Sequence, residues 1–482
     1  DRISPIDPSK LEHESGHKPE NNYKTESKWR RYYPNASITV VDEQHVSDKA
    51  FNADTGLNLI IAEMKTGKSK SLIKHLAGTV FTKAVFISFR RTFSAEASSK
   101  YAELNFSNYS AIEGEISLDR LNRVIIQVES LSRLDAHSLL DNDILILDEI
   151  ESIWSQFSSN NFKDYSGSFN IFMLLLKKSK RIIAMDANLG DRTARLLKRI
   201  QPNRSTSIYI NRYNPNSDYE FNIVDKYSWL FKVRKSLNAG SKIAIFSNSL
   251  KSAKTIKEFV KRYMVNVKIY SSKTKESIKR LHFQQVNDYW SQFDCIICTP
   301  TVSAGVSFER KHFDYVFGDF TDKSCNVETC RQMLGRVRDV GSKQVYITIS
   351  SDGSDGGKLP TSITMLKRNL ALNRSDVMKM CGASYNLHFM QYTLDEETCN
   401  ANYSDTFQLN VILENLAFDN ISRNSFYSIM LDQLSGKAIG LSKLAKICTN
   451  EAITPTQMCE MKQIYAEVRD KSKKKSIDDV LN

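Results

Sequence analysis

The chain has 482 residues, 41% hydrophobic and 25% charged, a composition that fits a globular protein with two or three cores and excludes a disordered one. No apolar run reaches the roughly 18 residues of a membrane-spanning helix, and the polar opening Asp1–Asn22 lacks the apolar centre of a secretory signal. A net charge of +12 suits a polyanionic partner.

Eight scattered cysteines point to a reducing, intracellular compartment rather than to a disulfide scaffold, and no membrane partner is expected. A first residue other than Met fits a piece of a longer chain. Residues 1–50 read as an N-terminal extension. Within it, Lys28-Trp29-Arg30-Arg31-Tyr32-Tyr33 mixes cations with aromatics, which suits either a base-stacking surface or a segment docked by its aromatic rings.

Between 51 and 210, β-branched apolar runs recur with helix-length spacers: Leu57–Ile61, Val85–Ser88, Val124–Val128, Ile144–Leu147, Ile182–Met185 and Ile208–Ile210. Strands alternating with helices predict a parallel sheet covered on both faces. The first run feeds Ala62-Glu63-Met64-Lys65-Thr66-Gly67-Lys68-Ser69. A strand, a tight turn and a helix in that order aim backbone N–H groups at phosphates. Lys68 adds a positive charge near the β- and γ-phosphates, and Ser69 offers a hydroxyl to Mg²⁺. Lys65, Thr66 and Gly67 form the turn itself. Asp148-Glu149 closes the fourth run, where Asp148 completes a metal site with Ser69 and Glu149 can orient the water that attacks the γ-phosphate. The pair of motifs points to ATP with Mg²⁺.

The Pro- and Asn-containing stretch Gln201–Asp218 reads as a hinge. A second series follows over 211–350: Phe221–Val224, Ile243–Phe246, Lys268–Tyr270, Cys295–Cys298, Tyr315–Phe317 and Val345–Ile349. It has no phosphate loop of its own. Cys295-Ile-Ile-Cys298 with Cys325 and Cys330 could hold zinc, but a buried parallel strand fits the Cys295–Cys298 run better. Gln332-Met-Leu-Gly335-Arg336-Val-Arg338 opens a helix from which Arg336 and Arg338 can reach across a cleft to developing charge on the γ-phosphoryl oxygens, with Gln332 as nucleotide sensor. The run Ser350–Pro360 is rich in Gly and Ser and marks a boundary. Residues 361–482 read as a helical domain, with Leu409, Leu413 and Leu416 on one face and Thr454-Pro455 as a helix start.

Taken in order, Ala62–Ser69, Ser88–Phe93, Gln127–Leu131, Asp148–Glu151, Ala184–Asn188, Thr299–Phe308 and Gln332–Arg338 resemble motifs I, Ia, Ib, II, III, V and VI of superfamily 2 helicases. The nearest likeness is to the origin-binding-protein helicases of herpesviruses, with a similar region fused to primase domains in large cytoplasmic DNA viruses. The resemblance covers roughly residues 55–345. It implies two tandem RecA-like domains plus the additional, mainly helical C-terminal domain, and ATP-dependent 3′→5′ translocation on single-stranded DNA that unwinds duplex, with single-stranded and forked DNA as partners. A primase or other replication proteins would be partners, at a cytoplasmic viral replication site.

By motif position, Lys68, Ser69, Asp148, Glu149, Gln332, Arg336 and Arg338 take the nucleotide roles. Gly305 permits close backbone approach, and Asp186 and Asn188 couple the γ-phosphate to the strand. Arg90, Arg91, Glu129, Ser130, Thr299 and Thr301 stand where the superfamily touches the nucleic-acid backbone, or are simply polar strand ends. Two positions depart from the pattern: Lys65 replaces a glycine of the phosphate loop, and Glu151 replaces the usual His or Asp of motif II. Three rivals share these features: an RNA helicase, a double-stranded DNA translocase, and a non-enzymatic nucleic-acid-binding scaffold with a degenerate phosphate loop.

Overall fold

The computed structural model describes residues 21–481 apart from 91–93, 95–96, 99, 160, 303–305, 351–358, 372–391, 395–400, 404–405, 439 and 450–451. Two parallel sheets organise these residues. The first has the order β1-β8-β2-β7-β6-β3-β5-β4. Its strands are β1 (Ser37–Val41), β2 (Leu57–Ile61), β3 (Ala84–Ser88), β4 (Ser107–Asn108), β5 (Arg123–Gln127), β6 (Ile144–Asp148), β7 (Arg181–Asp186) and β8 (Thr206–Asn211). The second has the order β11-β12-β10-β13-β14-β9-β17. It contains β9 (Glu220–Ile223), β10 (Ile243–Ser247), β11 (Val267–Tyr270), β12 (Cys295–Cys298), β13 (Tyr315–Thr321), β14 (Gln344–Ser350) and β17 (Lys446–Cys448). An antiparallel pair, β15 (Tyr392–Leu394) and β16 (Ala401–Tyr403), forms a separate two-stranded sheet.

Alternating side chains fill opposite faces, as the period-2 geometry of a strand requires. Leu57, Leu59 and Ile61 enter one core of the first lobe and Ile60 the other. Cys295 and Cys298 likewise enter different cores of the second lobe, so the two thiols face apart and cannot share one metal ion. Burial pushes both thiols above their ordinary range, as expected of cysteines that pack as small hydrophobes.

The helices that bear on function are α1 (Asn21–Tyr32), α2 (Lys68–Ala77), α3 (Ile150–Gln156), α4 (Asp191–Ile200), α5 (Lys226–Asn238), α6 (Leu250–Val260), α7 (Glu276–Gln284), α8 (Val327–Leu334), α9 (Phe407–Asn424), α10 (Phe426–Ser435) and α11 (Pro455–Leu481). Trp29 and Tyr33 are buried in the first lobe, and the Tyr33 hydroxyl donates to Ala194 O at 3.2 Å. Those two rings of the N-terminal segment are therefore docked.

The described residues after 361 are mainly helical and spread over both lobes. α9 packs on α3 and α4, α10 packs on α8, and α11 lies across α5 and α6. Thr454 Oγ1 accepts from Gln457 N at the start of α11. The three-residue strand β17 joins the edge of the second sheet beside β9.

Candidate active site

β2 delivers the candidate phosphate loop Ala62–Ser69, and β7 lies between β2 and β6, so Asp186 and Asp148 finish on the same edge of the sheet as that loop. Lys65 and Gly67 both adopt left-handed backbone, with φ of +70° and +76°. Lys65 thus takes the conformation that a glycine would take there without strain. Gly67 caps α2, whose N-terminal amides open toward the loop. The buried Thr66 hydroxyl donates to Glu63 O at 2.6 Å, and Val46 N donates to Thr66 O at 2.9 Å. Lys68 Nζ donates to Ala62 O at 2.6 Å and Glu63 O at 3.0 Å, which curls its ammonium back over the loop.

Ser69 Oγ lies 3.5 Å from Asp148 Oδ2. Glu149 follows with φ +59° and ψ +52° at the cap of α3, an uncommon conformation for a non-glycine residue. Asp186 accepts from Asn188 N at 2.8 Å and from Glu151 N at 3.0 Å. Burial first, then the neighbouring carboxylates Glu149 and Glu151, push the Asp186 carboxyl well above its ordinary range. Ser69 and Asp148 supply hard oxygen donors of the kind that Mg²⁺ takes together with phosphate oxygens. Among the described residues no group of three His, Cys, Asp or Glu side chains could hold a metal ion alone.

α8 closes the site from the second lobe. Gln332 Nε2 donates to Glu149 Oε2 at 3.3 Å. Its neighbour Arg331 crosses further, donating to Asn188 Oδ1 at 2.7 Å and pairing with Glu63 Oε2. Both members of that ion pair are buried, Glu63 1% and Arg331 5% exposed. A Cβ at Gly335 would sit 3.2 Å from Met64 Cε, so the loop and the end of α8 touch. Lys65 reaches the inter-sheet connection: its Nζ lies 3.2 Å from Asn216 Oδ1, 3.4 Å from the Tyr219 hydroxyl and 4.7 Å from the Tyr219 ring centre. Burial, then Arg338 and Lys343, hold its amine down to about 7.

Arg336 and Arg338 are anchored within the second lobe. Arg336 donates to Val306 O at 3.2 Å and Gln332 O at 3.0 Å, and Arg338 Nε donates to Ser307 Oγ at 2.8 Å. Arg331 makes cross-lobe contacts to Glu63 and Asn188, which motif reading missed because it precedes Gln332. A charged residue at a position that the helix buries was the available signal.

A second cleft of about 1130 Å³ runs between the lobes, lined by Glu129 and Ser130 on one side and by α7 and Ser307 on the other. Glu129 Oε1 accepts from Gln156 Nε2. Arg90 Nη1 donates across the lobes to Pro300 O at 2.6 Å. Thr299 Oγ1 donates to Tyr270 O at 3.3 Å, and the buried Thr301 hydroxyl has no hydrogen-bond partner among the described residues. Arg91 and Gly305 lie outside the described residues.

The profile of the family described as "Origin of replication binding protein" matches residues 26–222 and 191–376. A relative named "Putative helicase/primase complex protein" in African swine fever virus (isolate Pig/Kenya/KEN-50/1950) is 33% identical over 422 residues, which are 85% of this chain and 39% of the relative. The "Replication origin-binding protein" of human herpesvirus 7 (strain JI) is 28% identical over 329 residues, 66% of this chain and 40% of that protein. The chain thus spans well under half the length of these relatives. Among solved structures, S. cerevisiae Dbp5 bound to RNA and ADP BeF3 is 14% identical, covers 76% of this chain and 92% of its own, and superposes with a TM-score of 0.47.

Proposed function

We propose, from the premise that this chain belongs to the family of origin of replication binding proteins, that it is an ATP-driven helicase moving 3′→5′ on single-stranded DNA and separating duplex in viral DNA replication. The observation that carries the reading is the seam itself. One helix of the second lobe, α8, contacts the phosphate loop, motif II and motif III of the first through Arg331 and Gln332.

In this reading Gly67, Lys68 and Ser69 cradle the phosphates with helix-end amides and one ammonium. Ser69 and Asp148 would hold Mg²⁺, which would neutralise charge on the phosphate oxygens. Glu149 orients the attacking water, and Gln332, bonded to Glu149, senses whether the pocket is filled. Arg336 and Arg338 are bonded to Val306 and Ser307, so to meet a γ-phosphate they must exchange those partners, which a shift of the second lobe would allow. That requirement ties hydrolysis to domain motion. The strand occupies the wide cleft along Glu129 and Ser130, with Arg90 and Arg91, and Thr299 and Thr301 in the turn after β12, joining when the second lobe shifts. Contacts of this type are largely sequence-independent and salt-sensitive. The names of the relatives suggest a primase as a partner on forked DNA.

The left-handed backbone at Lys65 supports an intact phosphate loop and disfavours the scaffold reading. The test is ATPase activity with and without single-stranded DNA, then displacement of duplexes tailed at either end. Lys68→Ala should abolish turnover while the circular dichroism spectrum is unchanged. Near-normal hydrolysis by that variant would refute the assignment. Better competition by RNA than DNA would select the RNA helicase, and hydrolysis without strand separation the duplex translocase.

A further inference from the structure

Glu151, the residue that departs from the usual motif II, does not face the second lobe's arginines. Its Oε2 pairs with Arg192 at 2.7 Å to Nη2 and 2.9 Å to Nε, its backbone carbonyl accepts from the same guanidinium at 2.6 Å, and its Oε1 accepts from Gly190 N at 2.9 Å. Arg192 in turn donates through Nη1 to Asn415 Oδ1 on α9 at 2.9 Å and stacks 4.0 Å from the Phe418 ring centre. Asn415 Nδ2 returns to the motif II helix, donating to Trp154 O at 2.6 Å and Ser158 Oγ at 2.8 Å. All three side chains are buried: Glu151 is 6%, Arg192 4% and Asn415 1% exposed.

The same helix continues to the other lobe. Ser422 Oγ accepts from Val327 N at 2.9 Å, and Asn326 Nδ2 donates to Asp419 Oδ1 at 3.2 Å, both at the start of α8. From Asn415 to Ser422 is two helical turns, about 10 Å. On α10, Gln433 Nε2 donates to Glu328 Oε1 at 2.8 Å, one residue further along α8. A single helix therefore bridges α3, which follows Asp148-Glu149, and α8, which carries Gln332 and leads to Arg336, so a shift of α8 must either carry α9 with it or break the bonds to Asp419 and Ser422. Apolar packing would bind such a helix as tightly as a buried ion pair does, since desolvation offsets most of the pair's attraction. What the polar network adds is fixed orientation at both ends.

We propose that α9 is a transmission rod between motif II and motif VI. Arg192, Asn415 and Ser422 are then positioning residues through which strand binding accelerates ATP hydrolysis, with Glu151 as the anchor on the motif II side. The proposal rests on the ATPase reading above.

Its test uses Asn415→Leu, which keeps the volume but removes the bonds to Arg192 and Trp154, and Ser422→Ala, which raises helix propensity and so leaves the rod folded. Strand-free ATPase should stay within about twofold of wild type, with KM for ATP and single-stranded DNA affinity unchanged, while the strand-stimulated kcat falls about tenfold. Ser422→Thr, which keeps the hydroxyl, should restore stimulation. Full stimulation in both folded variants would overturn the proposal, and so would a parallel fall of basal and stimulated rates with a lowered melting temperature. A wild-type chain without ATPase activity would sink the proposed function, and this inference with it. A wild type that is stimulated while the variants match it sinks the inference alone.

Discussion

Replacing Arg331 by Met tests the seam most directly. The Glu63 carboxylate is 1% exposed, its Oε1 has no hydrogen-bond partner among the described residues, and its Oε2 is held by Arg331. Arg331→Met leaves that carboxylate without its guanidinium partner and also strips Asn188 Oδ1 of its donor. Breaking one side of a buried pair costs about 3–5 kcal/mol. Because the pair bridges two lobes, the strain has an exit: α8 can move away and let water reach Glu63. The loss should therefore appear as lobe opening, shifting the closed-to-open ratio by on the order of 10² to nearly 10⁴. Fluorophores placed on exposed positions of the two lobes would report this as reduced transfer efficiency, and ATP affinity should fall in step. Glu63→Gln combined with Arg331→Met removes the uncompensated charge and should recover most of the loss. A single variant that opens less than about threefold, or a double variant no better than the single, would refute the reasoning.

Three further outcomes follow from the same geometry. Burial, Arg338 and Lys343, opposed by Asp218 and Asp339, put the Lys65 amine at about 7, below its unfolded value. Below that pH both states carry the proton and the folded seam bears the full penalty. As pH rises from 7 toward the unfolded value, only the unfolded or opened state stays protonated, so seam stability should increase between pH 7 and 9. Lys65→Met should flatten that slope in denaturant titrations, and an unchanged slope would exonerate Lys65. Arg90→Ala removes the donor to Pro300 O. If Arg90 also meets a phosphate, the slope of log affinity against log salt on single strands should drop by about 0.7, whereas an unchanged slope would leave it a brace between lobes. Asp186→Asn turns one acceptor into a donor facing a backbone N–H, either Glu151 N or Asn188 N. Buried donors opposed in this way cost about 1–3 kcal/mol, and a melting temperature equal to wild type would contradict the placement.

The fold was largely legible because strands buried on both faces must be apolar throughout. Leu57–Ile61 and Cys295–Cys298 can be bounded to the residue, nine of the other expected strands differ by only a residue or two at their ends, and Tyr315–Phe317 stops four residues short of the strand that runs on to Thr321. What escaped were edges. β1 is half-exposed along its length and β17 has three residues, and such strands exist because a neighbour offers hydrogen bonds, not because their own pattern demands it. The site divides in the same way. A phosphate loop is a local turn, so its residues announce themselves within eight positions. Glu63 and Arg331 are 268 positions apart, and Arg192 and Asn415 are 223 apart. Each is an ordinary charged or amide residue in sequence, and only the packing of α8 and α9 gives it a partner.

The proposed cycle then has a definite physical character, because each cation at the seam is already engaged. Lys68 holds two loop carbonyls, Lys65 holds the inter-sheet connection, Arg331 holds Glu63 and Asn188, and Arg336 holds Val306 O. A triphosphate entering this site does not find free charges. It must displace Lys68 from carbonyls, and it brings negative charge beside the buried Glu63, which competes for the same guanidinium. Nucleotide binding is in this way coupled to a change of partners on both lobes, and a ligand shifts a conformational equilibrium only by its differential affinity for the two states. Glu63 supplies that difference. With the carboxylate in place, the empty site has its own reason to hold Arg331 and keep α8 close. Once phosphate takes over the cations, the carboxylate repels it, and the two arrangements become distinct states rather than degrees of one. Glu63→Gln should accordingly bind ATP more tightly than wild type yet respond less to strand, since the empty and filled seams would then differ by less.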